Sequence, residues 1–345
     1  MKTLIVITGP TAVGKTRLCL GLAGRLGVPV VNADSRQLYR DLRIGTAAPT
    51  EEEQRRVRHY FVGTLALDEY YSASMYEQQV MELLPRLFAE SDYALLSGGS
   101  MMYIDAVCSG LDDIPTVDDA TRATLRRRLA EEGLESLCEE LRRLDPEHWE
   151  IVDRRNPRRV VHALEICLMT GQTYTSFRKK GLPRNGQGAD TDLGSSGAGV
   201  RTCGGIPFRT VKIALTLPRE ELYGRINRRV DLMMEQGLLD EARRLLPMRH
   251  LNALNTVGYK EMFAHLDGTW TLEEAVERMK GNTRRYARKQ LTWFRRDEAV
   301  TWLSPDDEQR VWDVIHENSQ AQNPTAFRPS AHMQSQRPHQ RGGAA

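Results

Sequence analysis

Residues 9–16 read Gly9-Pro10-Thr11-Ala12-Val13-Gly14-Lys15-Thr16, a complete G-x-x-x-x-G-K-[ST] pattern. Its surroundings are the ones the pattern needs. TLIVIT (3–8) before it is short, apolar and β-branched, as a buried strand is. The stretch after it, from Lys15 to about Leu26, sets Leu18, Leu22 and Leu26 four apart on one helical face. Strand, glycine loop and helix in that order wrap backbone amides and a helix N-terminus around an anion. Lys15 adds a point charge, and Thr16 a hydroxyl where a Mg²⁺ ion would sit. The loop implies binding of a diphosphate or triphosphate, ATP included, and leaves open which bond breaks. Phosphoryl transfer is the default class for such a loop.

Outward from it, VPVVNAD (28–34), YALLSGG (93–99) and TVKIALTL (210–217) are further strand-like runs, separated by helical segments. That alternation predicts an α/β fold, a P-loop parallel-sheet core. From 115 to 180 strand-like runs vanish and charged helical patterns such as ATRATLRRRLAEEGLESLCEELRRL (120–144) take over. The organisation expected is a core of 1–115 and 206–318, with helical blocks at 219–246 and 271–297, and a mainly helical insertion domain at 116–183. The stretch 184–205, with seven glycines, reads as a flexible insert, and 319–345 as a disordered tail.

Composition narrows the class. With 345 residues, 40% of them hydrophobic, the chain can fill more than one core. No apolar run approaches the ~18 residues of a membrane helix, and the run at 4–7 is too short for a signal peptide. The five cysteines (19, 108, 138, 167, 203) are odd in number and lack a CxxC pair, which argues against a disulfide framework and a cysteine zinc site. The expectation is a reduced, soluble, cytoplasmic protein, with a monomer as the default because one chain carries all the parts.

An ordinary NTPase would end a buried strand on an acid. In DYALLSGGS the acid, Asp92, precedes the strand; the acid closing one is Asp34, in VVNADSRQLY. At the carboxyl edge of a parallel strand beside the glycine loop, Asp34 reads as a general base, as a magnesium or substrate-hydroxyl ligand, or as an N-cap of the segment after it.

Lys plus Arg total 48 against 46 acids, a net charge of +2, yet the charges are segregated. Between 278 and 296 eight basic residues occur without an acid: Arg278, Lys280, Arg284, Arg285, Arg288, Lys289, Arg295 and Arg296. Tyr286, Trp293 and Phe294 are interleaved. On a helix, Val276, Met279, Thr283 and Tyr286 form a stripe that can face the core and turn the cations outward. Arg154, Arg155, Arg158 and Arg159 form a second cluster, and Arg122 with Arg126, Arg127 and Arg128 a third. Any one could be a solvated helix face; three together suggest a phosphate backbone as partner. A phosphate loop, a strand-end acid and such faces suit an enzyme that modifies RNA from a diphosphate-bearing donor. A small-molecule kinase and an RNA-binding NTPase switch are the competing readings.

The blocks GPTAVGKT, NADSRQLYRDLRIGTAAPT (32–50), GGSMMYIDAV (98–107), NPRRVVHALE (156–165), LYGRINRRVDLMMEQGLLDEA (222–242), NTVGYKEM (255–262) and TRRYARKQLTWFRRD (283–297) together resemble the tRNA dimethylallyltransferase (isopentenyl-tRNA transferase) family over about 3–303. The resemblance implies transfer of a dimethylallyl group from dimethylallyl diphosphate to N6 of the adenosine 3′ of the anticodon, with Mg²⁺ and release of diphosphate. It implies Asp34 as general base. Lys15, Thr16, Ser100 and Arg225 join it in the catalytic set, with residues 9–16 and Arg225 on the diphosphate and Thr16 on the metal. It implies contacts to the tRNA anticodon stem-loop from Asp34, Ser35, Arg36, Gln37, Ser100, Arg122, Arg158, Arg159, Val160, Val161, His162, Arg288, Lys289 and Gln290. Ser100 stands for the family's usual Thr, Met101–Met102 for Gly-Leu, Arg158 for Gln, His162 for Arg and Ala48 for Lys.

Overall fold

The computed structural model describes residues 1–111, 114–178 and 200–320. Among them seven strands form one sheet: β1 (Lys2–Thr8), β2 (Val30–Asn32), β3 (His59–Tyr60), β4 (Tyr93–Ser97), β5 (Val200–Cys203), β6 (Ile206–Leu215) and β7 (Val300–Leu303). Their spatial order is β3-β2-β4-β1-β6-β5, with β7 also on β6. Every pairing is parallel except β5 with β6. In β1, Leu4 and Val6 enter one hydrophobic core, and Ile5 and Ile7 the other. All four are fully buried. Burial on both faces is why this strand is a continuous apolar run rather than an alternating one.

The helices between 15 and 109 are α1 (Lys15–Leu26), α2 (Glu51–Arg56), α3 (Ala73–Glu90) and α4 (Met101–Ser109). Then come α5 (Asp119–Leu144), α6 (Pro146–Ile151) and α7 (Pro157–Thr170). After β6 follow α8 (Arg219–Glu235), α9 (Leu238–Leu245), α10 (Tyr259–Leu266), α11 (Leu272–Phe294) and, beyond β7, α12 (Glu308–Gln320). Starts are written locally: Thr50 with Glu53, and Thr271 with Glu274, form capping boxes, and Ser72 and Asp118 accept an amide of their own first turns. Helices α5 and α7 pack around Leu125, Leu137, Leu141, Val160, Ala163 and Leu164, a core separate from the two that flank the sheet.

The structure departs from the sequence reading in several places. Val200–Cys203, inside the stretch read as flexible, is a strand antiparallel to β6. Arg201 fixes it there, donating to the carbonyls of Ala106 (3.0 Å) and Val107 at the end of α4 and pairing with Glu77 on α3 at 2.8 Å. The glycine signal overrode a short β-branched one. The rest of that stretch to 199 and the tail beyond 320 lie outside the described residues; α12 includes Ser319 and Gln320. The block 219–246 is two helices, broken at Gly237, whose φ is 95°. Gly133 (φ 81°) likewise kinks α5.

Candidate active site

The glycine loop joins β1 to α1 at the carboxyl edge of the sheet. Gly9 takes φ 133°, and a Cβ there would lie 2.6 Å from the carbonyl oxygen of Leu215 on β6. Only glycine lets the loop leave the sheet that close to its neighbour. Lys15 donates to the carbonyls of Gly9 and Pro10, each at 2.9 Å. Burial lowers its pKa from 10.5 to about 8; Arg229 pushes in the same direction, and Asp34 opposes both. Thr16 is exposed, and its hydroxyl makes no hydrogen bond among the described residues. Val13 is buried in the core beneath the loop, so of 9–16 it contributes backbone alone.

Helix α8 lays two arginines against the loop. Arg225 donates to the Val13 carbonyl at 3.3 Å and pairs with Glu221 at 2.8 Å. Arg229, one turn on, donates to the Thr11 hydroxyl at 3.1 Å. Burial holds the Arg229 guanidinium below its usual pKa, opposed by Asp34. Asp34, two residues beyond β2, therefore shares one electrostatic neighbourhood with Lys15 and Arg229. Its Oδ1 accepts the amides of Arg36 (2.9 Å) and Gln37 (3.4 Å), and Oδ2 has no hydrogen-bond partner among the described residues. The amides it caps belong to a turn, not to a helix. Tyr286, on α11, is 37% exposed. Its phenol is nonetheless held above the usual range, first by burial and then by the Asp34 charge. The core-facing residues of α11 are Ala275, Met279, Ala287, Gln290 and Phe294, so the stripe expected to end at Tyr286 runs past it on the inner side.

The remaining expected site residues divide. Ser100 is buried; its hydroxyl accepts the Ser35 amide at 2.8 Å and donates to the Ser35 hydroxyl at 3.1 Å, pinning the turn that follows Asp34. Arg36 donates to the carbonyls of Asn252 (3.0 Å) and Ala253 (3.2 Å), and Gln37 to those of Thr46 and Ala47. Gln290 is 1% exposed and therefore presents nothing to a docked RNA. Val160 is fully buried within the helical segment's core and Val161 packs against it, so the side chain of Val160 is likewise out of reach. Arg158, Arg159 and His162 are exposed beside them, His162 lying 3.4 Å from the buried Glu165. Arg122 lies 4.0 Å from Asp119 and over the ring of Tyr70.

The basic clusters are partly self-satisfied. Lys280 bridges Asp231 and Glu277, Arg284 donates to Asn227, and Arg128 is shared by Glu132 and Glu140. The pairing of Lys280 with Asp231 and of Arg284 with Asn227, both on α8, is invisible to a one-dimensional charge run. Arg288, bonded to the Tyr223 hydroxyl at 3.3 Å, and Lys289 remain exposed. Asp92, at the opposite end of the sheet, pairs with Lys2 at 3.0 Å. A cleft of about 420 Å³ further along α11, lined by Trp270, Glu274, Arg278 and Arg285 among others, shares no residue with the loop and Asp34.

Residues 37–297 match the model of the IPP transferase family. The chain belongs to that family. It is a transferase, 57% identical over 314 residues to tRNA dimethylallyltransferase 1 of Phocaeicola vulgatus, with 91% of this chain and 98% of the relative covered. The tRNA isopentenylpyrophosphate transferase structure from Bacillus halodurans is 33% identical, with a TM-score of 0.63 over 92% of this chain and 96% of that one. A eukaryotic dimethylallyltransferase structure, 23% identical and with a TM-score of 0.71 over 93% and 78% of the two chains, shares the fold.

In this IPP transferase two residues at the site's frame escaped the sequence reading. Arg229 was signalled by its spacing, four after Arg225 and so on the same helical face. Glu241 gave no signal. It is 2% exposed, and accepts the amides of Arg43, Ile44 and Gly45 and the Tyr259 hydroxyl (3.2, 2.9, 2.9 and 2.7 Å). A carboxylate buried without a cation is held by donors that only the fold assembles.

Proposed function

We propose that the protein transfers a dimethylallyl group from dimethylallyl diphosphate to N6 of the adenosine 3′ of the tRNA anticodon, releasing diphosphate. The observation that carries this is the placement of Asp34, an acid at the strand's carboxyl edge in the same field as Lys15 and Arg229. A base there stands beside a cradle for an anionic leaving group. The names of the relatives supply the substrate class.

In this reading the loop of 9–16, Lys15, Arg225 and Arg229 bind the diphosphate and stabilise the charge that develops as the allylic C–O bond breaks. The N6 lone pair is delocalised into the adenine ring, so attack on the allylic carbon requires loss of an N6 proton. That proton passes to Asp34 Oδ2, while Oδ1 stays anchored on the Arg36 amide. The adenine leaves its stack to reach a recessed carboxylate. Tyr286, within the electrostatic reach of Asp34, forms one wall of the approach. Ser100 and Ser35 hold the turn that aims Asp34. Ser35, Arg36, Gln37, Arg122, Arg158, Arg159, His162, Arg288 and Lys289 lie on the RNA side.

The residues present fit a Mg²⁺ ion. Among the described residues no group of three acids, histidines or cysteines could hold a cation alone. The Thr16 hydroxyl is exposed and unspent, as a site that borrows its other oxygens from a diphosphate and water requires. When bound, the ion would neutralise charge on the leaving group.

The test is mass spectrometry of nucleosides from a tRNA with adenosine 3′ of its anticodon, incubated with protein, Mg²⁺ and dimethylallyl diphosphate. One added dimethylallyl unit on adenosine, absent with Asp34→Asn, is the expected result. Bound but unmodified tRNA together with consumption of ATP would sink the reading in favour of a kinase or NTPase.

A further inference from the structure

We infer that Gln290 is a positioning residue that locks the donor loop to the turn after β4 and ties both to α11. Its Oε1 accepts the Thr11 amide at 2.9 Å, and its Nε2 donates to the Gly99 carbonyl at 2.8 Å. The side chain is 1% exposed, so both bonds are made away from water, where an unmade partner is costly. A Cβ on Gly99 would lie 2.5 Å from Nε2; the glycine leaves the space that lets the carboxamide reach. The amide's donor and acceptor ends are both spent, one on each loop.

The consequence for the site is specific. Thr11 is held twice, its N–H by Gln290 and its hydroxyl by Arg229, so its amide is withdrawn from the set of loop donors open to an anion. What Gln290 provides is a loop shape fixed before the ligand arrives. Gln290 also follows Arg288 and Lys289 on the helix that presents them outward. One helix thus bears cations on its outer face and, on its inner face, the brace for the donor loop. For its ligand this inference rests on the transfer reading above; its geometry does not.

The experiment compares wild type, Gln290→Met and Gln290→Glu. The Met variant keeps the length and loses both bonds; the Glu variant keeps acceptance from Thr11. Amide hydrogen exchange of 9–14 and 98–100 is measured first. Exchange at least ~10-fold faster in both segments is expected for Gln290→Met, with partial rescue in 9–14 for Gln290→Glu. Unchanged exchange in either segment would overturn the clamp, whatever the protein transfers. Dimethylallyl diphosphate kinetics follow. A KM raised about tenfold with kcat within about threefold and tRNA affinity unchanged is the signature of lost loop pre-organisation. An unchanged or lower KM would show that the freed Thr11 amide serves the ligand better, and would overturn the positioning role. A wild type that binds no allylic diphosphate but shows the exchange difference would sink the transfer reading and leave the clamp standing.

Discussion

Arg229 donates to the Thr11 hydroxyl at 3.1 Å, so the tip of the glycine loop rests on a guanidinium from a helix more than two hundred residues later in the chain. Arg229→Ala is expected to raise the KM for dimethylallyl diphosphate roughly tenfold to a hundredfold, the worth of a hydrogen bond to a charged group. Steady-state kinetics at saturating tRNA check it. A KM within twofold of wild type would show that Arg229 supports the loop without meeting the donor.

Lys15 makes donor binding depend on pH. Its ordinary value is 10.5 and its folded value about 8. Above about 8 the folded chain sheds a proton that the unfolded chain keeps until 10.5, so this group's contribution to stability rises across that window. Affinity moves the other way: as pH climbs past about 8, binding the allylic diphosphate must take up a proton, and affinity falls. Calorimetry in buffers of different ionisation heat is expected to show proton uptake near pH 9 in wild type and none from this site in Lys15→Ala.

Glu241 anchors the 43–45 loop to α9 through three amides and the Tyr259 hydroxyl. Glu241→Gln turns a carboxamide NH2, a donor, toward backbone N–H groups and is expected to cost about 1–3 kcal/mol in urea unfolding, with Glu241→Ala costing more. Equal stability of Glu241→Gln and wild type would mean that this loop is held by other contacts.

Arg288 and Lys289 are exposed cations of α11 that directly precede Gln290, which bonds the donor loop. Replacing both by Ala is expected to weaken tRNA binding and reduce the slope of log K against log salt by about 1–2, while leaving allylic diphosphate affinity within twofold. Filter binding between low and physiological salt reads the slope directly. An undiminished slope would turn this face away from the RNA.

The inner strands β1, β2, β4 and β6 were legible in the sequence because they are apolar and largely buried, whereas the half-buried β3 and β7 were not read. Leu4, Ile5, Val6 and Ile7 have no polar interruption, and the glycine loop fixes where the first strand stops. Asp34 was legible because it closes a strand at the carboxyl edge; Arg225 was implied only by the resemblance to the family. What escaped was set by partners distant in sequence. Gln290 sits in a run of cations and reads as one more polar residue facing RNA; only the meeting of α11 with Thr11 and Gly99 turns it inward. Val160 shares a block with exposed arginines, yet falls on the buried face of its helix. Val200–Cys203 carried too little apolar signal to stand against its glycines, because Arg201 gains its place from Glu77 and the end of α4.

The outer edge of β6 is divided between two visitors, β5 along Ile206–Arg209 and β7 along Lys212–Leu215. During synthesis this matters for timing. The first strand made is the central one, its flanking partner β6 emerges about two hundred residues later, and the strand that seals β6 comes near residue 300. Parallel pairings with such separations close slowly. Until 300–303 has left the ribosome, the Lys212–Leu215 edge has bare amides and carbonyls of the kind that recruit foreign strands. A chain halted short of that point would carry its glycine loop and Asp34 but would be open to aggregation along β6.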